Sequence, residues 1–304
     1  MKFTLDSVPP FNFELTAGFF STDDDQIRSF KDGKYWQVIN VNDKLILTTI
    51  TSSGTVEKPR LSIELKSDNK LTATDKDVAK KIIKSIFNLD LNLNEFYESI
   101  NQDKILAKLV KKMRGMKGPN NTTVFEGLIC SIIEQQISLN VAFSIQKKVT
   151  KKFGDKLKLG NLIYYSFPNP KTLANAKLEA LRKCGLSQRK AEYIRDISRL
   201  ICNQELDLDE FKNYSDPDDI INELTRIHGI GVWTVELTML RSMQRFDVVP
   251  ADDLGMRRYV SHHYFNDKKI GSAEVRKVAE KWGRWKGLAA YYFLEADRLN
   301  LKVK

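Results

Sequence analysis

The chain has 304 residues, of which 42% are hydrophobic and 29% charged, with a formal net charge of +10. That composition excludes a disordered chain and provides enough length for two cores. The basic balance favours a polyanionic partner. No apolar run approaches the length of a bilayer span, and the opening residues lack the apolar segment of a secretion signal. A cytoplasmic or nucleoid protein is expected. Cys130, Cys184 and Cys202 are odd in number and form no C-x-x-C pair, and His228, His262 and His263 have no ligand spacing. A zinc or iron–sulfur centre is therefore not expected, and any bound metal would have to use backbone carbonyls.

In chain order, residues 36–41 and 44–49 flank Asn42-Asp43, a hairpin signal, and residues 60–65 alternate as a further strand. A small antiparallel sheet is expected over 1–75. The period then changes: Val78, Ile82, Ile83, Ile86 and Phe87 recur at helical spacing. Helices are predicted at 104–112, 124–153, 178–184, 190–201, 218–226, 232–243, 253–264 and 273–299, with short Gly-, Pro- and Asn-rich loops between them. The expected class is α+β, with the sheet followed by an all-helical domain over 76–304.

The most informative stretch runs from Leu224 to Tyr259. A helix ending near Arg226 meets His228-Gly229-Ile230-Gly231, and a new helix starts at Val232. Glycines at both positions allow positive φ and clear side chains from the turn, so backbone N–H groups beside a helix N-terminus face outward and suit one phosphate. Ile227 and Ile230 are expected to pack this hairpin (225–234) against its helices. Read by itself, the segment also fits a tight helix–helix turn that needs two glycines. Asp253 lies twenty positions beyond Trp233, in Pro250-Ala251-Asp252-Asp253. A carboxylate there could face the sugar of a held nucleotide, and it also fits an N-cap, a role Asp252 could fill instead.

The combination of His228-Gly-Ile-Gly-Val-Trp-Thr with Pro250-Ala-Asp-Asp-Leu-Gly-Met resembles the helix-hairpin-helix DNA glycosylases that carry a Gly/Pro-rich loop and a catalytic aspartate. It is most similar to the AlkA-type 3-methyladenine-DNA glycosylases. Residues 124–138, 167–192 and 282–285 resemble that family's early helix and wedge loop, its central segment and the start of its last helix. The resemblance implies an active-site cleft between helical subdomains and double-stranded DNA with damaged bases as partner, bound by a monomer. It implies Asp253 as the catalytic carboxylate, and Gly229, Gly231 and Thr234 at a DNA phosphate. Gln136 would fill the gap left by a flipped base; read by itself it also fits a solvated loop residue. The carbonyls of Thr225, Ile227 and Ile230 would hold a structural Na⁺ or K⁺, and no cofactor would be required. Trp233 and Tyr291 are expected in the base pocket, Trp233 fitting equally a core tryptophan that supports the hairpin, and Tyr291, Tyr292 and Phe293 would compensate for Leu237 and Leu294 at positions that are aromatic in bacterial relatives.

Bifunctional members carry a lysine nucleophile where this chain has Trp233, so base release without strand cleavage is expected. The alternatives are an 8-oxoguanine-type glycosylase/lyase and a non-catalytic hairpin protein that binds DNA. The basic runs Lys147-Lys148, Lys151-Lys152 and Lys108 to Lys117 read as solvated faces, some of which could touch phosphate.

Overall fold

The computed structural model describes residues 1–19, 21 and 24–301. The first unit comprises β1 (Lys2–Asp6), α1 (Phe13–Phe19), β2 (Arg28–Lys31), β3 (Lys34–Val41), β4 (Lys44–Ser52), β5 (Arg60–Lys66) and α2 (Ala73–Ile86). Its strands form one antiparallel sheet in the order β1-β5-β4-β3-β2. Asn42 and Asp43 both have positive φ, the two-residue turn that matches strand twist, and they set the Val41–Lys44 register. Thr72 and Asp75 form a reciprocal capping box that starts α2. Ile83, Ile86 and Phe87 at its end pack on Tyr35, Ile39 and Ile50 of the sheet.

The helical part follows: α3 (Asn94–Ser99), α4 (Lys104–Lys112), α5 (Val124–Glu134), α6 (Leu139–Phe153), the hairpin β6 (Lys156–Leu159) and β7 (Leu162–Tyr165), α7 (Pro170–Ala174), α8 (Leu178–Arg182), α9 (Gln188–Cys202), α10 (Pro217–Leu224), α11 (Val232–Ser242), α12 (Leu254–Tyr264), α13 (Ser272–Ala279) and α14 (Lys286–Arg298). Side-chain N-caps punctuate it, with Asp103, Thr123, Ser138, Ser187 and Asp216 each accepting from an orphan N–H of the helix they start. The single helix expected over 124–153 is broken at 135–138 by Gln136 at φ 55 and a new cap at Ser138. That expected over 273–299 is α13, a 3₁₀ turn and α14, interrupted by Gly283 at φ 50. The β6–β7 hairpin was not expected. It covers the outer sheet face, where Leu157 packs with Val38 and Leu47, and Gln26 bonds both Tyr165 N and Ile163 O.

Two helical cores result. One joins α3, α4 and α12–α14 through Phe96, Leu106, Met256, Trp282 and Tyr292, and the other joins α5–α11 through Leu128, Ile132, Ile194 and Val235. Helix α11 contributes to both, with Leu240 in the first and Val235 and Met239 in the second. The hairpin before α11 thus belongs to one core, and the residue that starts α12 belongs to the other. Among the described residues no helix is long and apolar enough to cross a membrane.

Candidate active site

The hairpin is the turn between α10 and α11. Ile230 is buried and Ile227 packs beside it, which anchors the turn to the second core as expected. The two glycines differ. Gly229 has φ +93, and a Cβ there would lie 2.6 Å from Tyr193 Cδ1 and nearer still to Cγ and Cδ2. Gly229 is therefore required by both backbone and packing. Gly231 is the N-cap of α11 at φ −101, an extended conformation open to any residue, and nothing lies within 4 Å of its missing Cβ. The expectation of positive φ at both glycines fails at Gly231, where what glycine supplies is open space at a helix N-terminus.

Thr234 is 2% exposed, and its Oγ1 accepts a hydrogen bond from Gln135 Nε2 (3.0 Å). The hydroxyl is thus engaged inside the protein and does not point to an outside phosphate. The carbonyls of Thr225, Ile227 and Ile230 lie in one turn, and Ile227 O also accepts the Ile230 N–H (3.1 Å). Neutral carbonyl oxygens are the donor set that suits a monovalent cation. Among the described residues no cluster of three or more His, Cys, Asp or Glu side chains offers a stronger metal site.

From Met243 the chain turns at Gln244 (φ 58) and returns through a buried segment, Val248, Val249 and Ala251. The start of α14 holds this segment closely. Gly287 N donates to Phe246 O (2.7 Å), and a Cβ on Gly287 would sit 2.8 Å from Val248 O. The segment delivers Asp253 to the first turn of α12 as its N-cap, with Oδ1 accepting from Met256 N (3.0 Å). The cap is Asp253, not Asp252, which is exposed and paired with Arg257. Asp253 is half-buried, Leu254 beside it is 76% exposed, and the Asp253 carboxylate interacts electrostatically with Arg241 of α11 and Arg258 of α12. Below it, Arg276 holds the buried Glu236 at 2.6 Å, and burial raises the carboxyl pKa of Glu236 against the lowering effect of that arginine.

Trp233, at the second position of α11, is half-buried, and its buried Nε1 has no hydrogen-bond partner among the described residues. Gln136 is exposed in the left-handed region, next to Ile137 (36% exposed) and Leu139 (52% exposed). Tyr291 is not brought to this surface. It is fully buried, and its hydroxyl donates to Pro119 O (2.7 Å). Its ring fills the space that a side chain on Gly118 would need. Tyr292 and Phe293 are also fully buried, so none of the three replaces a pocket aromatic, and Leu237 is at 0% exposure as well. Lys117, read as part of a basic face, is fully buried, its ammonium donating to Ser7 Oγ, Val8 O and Leu89 O.

Sequence reasoning missed Gln135, whose side chain also donates to Gly229 O (3.0 Å). Its partners lie 94 and 99 residues away, beyond any local signal. A cavity of about 650 Å³ opens between β3, α5, α6 and residues 201–209, but apart from Lys147 of a basic run none of the catalytic, base-pocket, phosphate or cation residues nominated from the sequence lines it. Volume therefore does not locate the chemistry here.

The site residues thus comprise a hairpin with an open helix N-terminus, a half-buried carboxylate at the start of α12, and an exposed left-handed glutamine whose neighbour Gln135 bonds the hairpin. Residues 129–284 match the model of the HhH-GPD superfamily of base excision DNA repair proteins. The chain belongs to that superfamily. Residues 4–126 match the N-terminal domain of 8-oxoguanine DNA glycosylase. A DNA-3-methyladenine glycosylase of Bacillus subtilis is 28% identical over 214 residues, 70% of each chain. The solved 3-methyladenine DNA-glycosylase of Archaeoglobus fulgidus is similar at TM-score 0.86 and 29% identity, covering 98% of this chain and 99% of that one. The Clostridium acetobutylicum 8-oxoguanine glycosylase/lyase bound to DNA shares the fold at TM-score 0.78 and 21% identity, covering 99% and 98%. This HhH-GPD protein is a DNA glycosylase of base excision repair, of the kind whose relatives are named for 3-methyladenine.

Proposed function

We propose that this glycosylase is monofunctional and hydrolyses the N-glycosidic bond of alkylated or deaminated purines in double-stranded DNA. The damaged nucleotide is flipped out of the stack. The hairpin backbone around Gly229 and Gly231 holds a phosphate beside it, and Gln136 fills the gap. A monovalent cation held by the carbonyls of Thr225, Ile227 and Ile230 would add positive charge behind that phosphate. As the C1′–N bond breaks, oxocarbenium character develops on the sugar, and the Asp253 carboxylate stabilises it and orients water. A purine that is already cationic leaves without a strong general acid. The partly exposed indole of Trp233 offers a π face to such a base, its buried N–H has no partner among the described residues, and it supplies no amine nucleophile.

The observation that carries this reading is the placement of Asp253, half-buried at the start of α12 with one oxygen on Met256 N–H. Asparagine caps a helix as well as aspartate does, so Asp253→Asn keeps the fold while removing the charge. The expected outcome is unchanged binding to damaged duplex and a loss of base release of at least about 100-fold, within the range for removing one electrostatic stabiliser. Alkali-revealed abasic sites measure it, and equal release by the two proteins would remove Asp253 from this role.

A further inference from the structure

Helix α5 ends at Ile133-Glu134-Gln135, and the next residue, Gln136, turns into the left-handed region. Gln135 is gripped from two sides. Lys190 Nζ on α9 donates to Ile133 O (2.8 Å) and Gln135 O (2.6 Å), a cation on the open carbonyl end of a helix. On the other side the Gln135 amide spends both donors on the hairpin, reaching Gly229 O and Thr234 Oγ1 at 3.0 Å each. One side chain thus ties the turn that presents Gln136 to the turn that presents the hairpin N–H groups. The hairpin keeps its shape without this tie, because Ile230 is buried and Gly229 sits against the Tyr193 ring. Residues 136–140 have no such seat, being exposed throughout.

We propose that Gln135 is a positioning residue: a strut that fixes the spacing between the gap-filling Gln136 and the phosphate-gripping hairpin. The inference rests on the glycosylase reading above, with Gln136 as the inserted side chain. A flipped nucleotide fixes two points, its own phosphate and the hole it left. A strut of set length makes the two contacts form together, whereas a loose turn must be ordered on each binding event. Loss of the strut therefore falls on recognition of a gap and not on grip of the backbone.

The test uses Gln135→Glu, which keeps the shape and removes both amide donors, and Lys190→Met as a second variant acting on the same turn. The full chain is titrated with an undamaged duplex and with one containing a tetrahydrofuran abasic analogue flanked by 2-aminopurine, whose fluorescence reports insertion. For Gln135→Glu the preference for the abasic duplex is expected to fall about tenfold, the scale of one or two lost hydrogen bonds. Affinity for undamaged duplex is expected to stay within about twofold, since backbone contacts set it. Gln136→Ala is expected to give a similar loss, and the double variant no further loss, because both act through one insertion. A merely structural defect would lower both affinities and add to Gln136→Ala, and that result overturns the strut. Retention of the full preference by Gln135→Glu and Lys190→Met overturns it too. Wild-type protein without any preference for the abasic duplex would instead overturn the underlying reading of Gln136.

Discussion

Alanine at Gly229 and at Gly231, introduced one at a time, separates fold from grip within three residues. At Gly229, alanine must adopt φ +93 and push into the Tyr193 ring. The left-handed backbone costs about 1–2 kcal/mol. Overpacking against a half-buried ring that also meets His228 edge-on at 4.8 Å adds about 1–3 kcal/mol. A central sum of about 3.5 kcal/mol lowers the melting temperature by roughly 5 °C for a chain of this size, at about 2.1 cal/mol/K of unfolding entropy per residue. At Gly231 the backbone is extended and the added methyl meets nothing. Stability should therefore stay within about 0.5 kcal/mol of wild type. If the N–H groups at this helix start take a phosphate, as proposed, the methyl crowds its approach, and DNA affinity at fixed salt is expected to fall about tenfold. Differential scanning fluorimetry and fluorescence anisotropy on one preparation give both numbers. Wild-type affinity in Gly231→Ala would refute the phosphate reading of the hairpin, and an unchanged melting temperature in Gly229→Ala would refute the packing argument.

Three further outcomes are expected. With Trp233 where bifunctional relatives have lysine, borohydride treatment during reaction on damaged duplex should trap no covalent adduct, and a gel-shifted adduct would establish lyase chemistry. Arg241→Met strips the counter-charge from Glu134, which is 5% exposed and 2.8 Å from it. Urea unfolding should then show a loss toward the lower end of about 3–5 kcal/mol, since Gln146 still donates to Glu134, and Glu134→Gln in the same chain should restore most of it. Burial pushes the Lys117 ammonium down to about 7, so between that pH and the unfolded value near ~10.4 the unfolded chain binds the extra proton. Stability relative to Lys117→Met should accordingly rise with pH across this window, by at most about 1.4 kcal/mol per unit, and stay flat below it. A difference that is flat or falls through the window would show that the three acceptors around Nζ keep the lysine charged.

What could be read from the sequence was local. Asn42-Asp43 allowed only one turn, helix 104–112 was read with the bounds it has in the structure, and the hairpin glycines marked a corner before α11. The fold's missed features depend on partners far along the chain or on choices between equal neighbours. Asp252 and Asp253 cap equally well, and the Met256 N–H selects the second. Tyr291, Tyr292 and Phe293 are consecutive in a helix buried on every side, so no polar face says which ring meets a ligand. Lys117 looks like the end of a basic run, yet its acceptors come from residues 7, 8 and 89. The β6–β7 hairpin did leave a signal, two short alternating runs around Gly160-Asn161, but runs of four residues are weak against a helical background.

The Asp253 carboxylate, though only half-buried, is held in one direction. Its backbone is fixed upstream by Asp253 N on Pro250 O (3.0 Å) and by the buried Ala251, and downstream by the helix it caps. That helix cannot rotate, because Met256, Tyr259 and Val260 are buried on one face while Leu254 and Arg258 are exposed on the other. Arg257 adds a brace, bonding Ala251 O (3.3 Å) and Asp252. The first core thus sets the direction of the carboxylate, and the second core sets the direction of the hairpin. Because α11 belongs to both cores, the two directions are fixed relative to each other by packing, without any bond between Asp253 and the hairpin. On the proposed reading, substitutions in the α11 core that shift this helix, such as at Leu240 or Met239, should therefore reduce base release, which needs both directions, more than binding to undamaged DNA, which does not need Asp253.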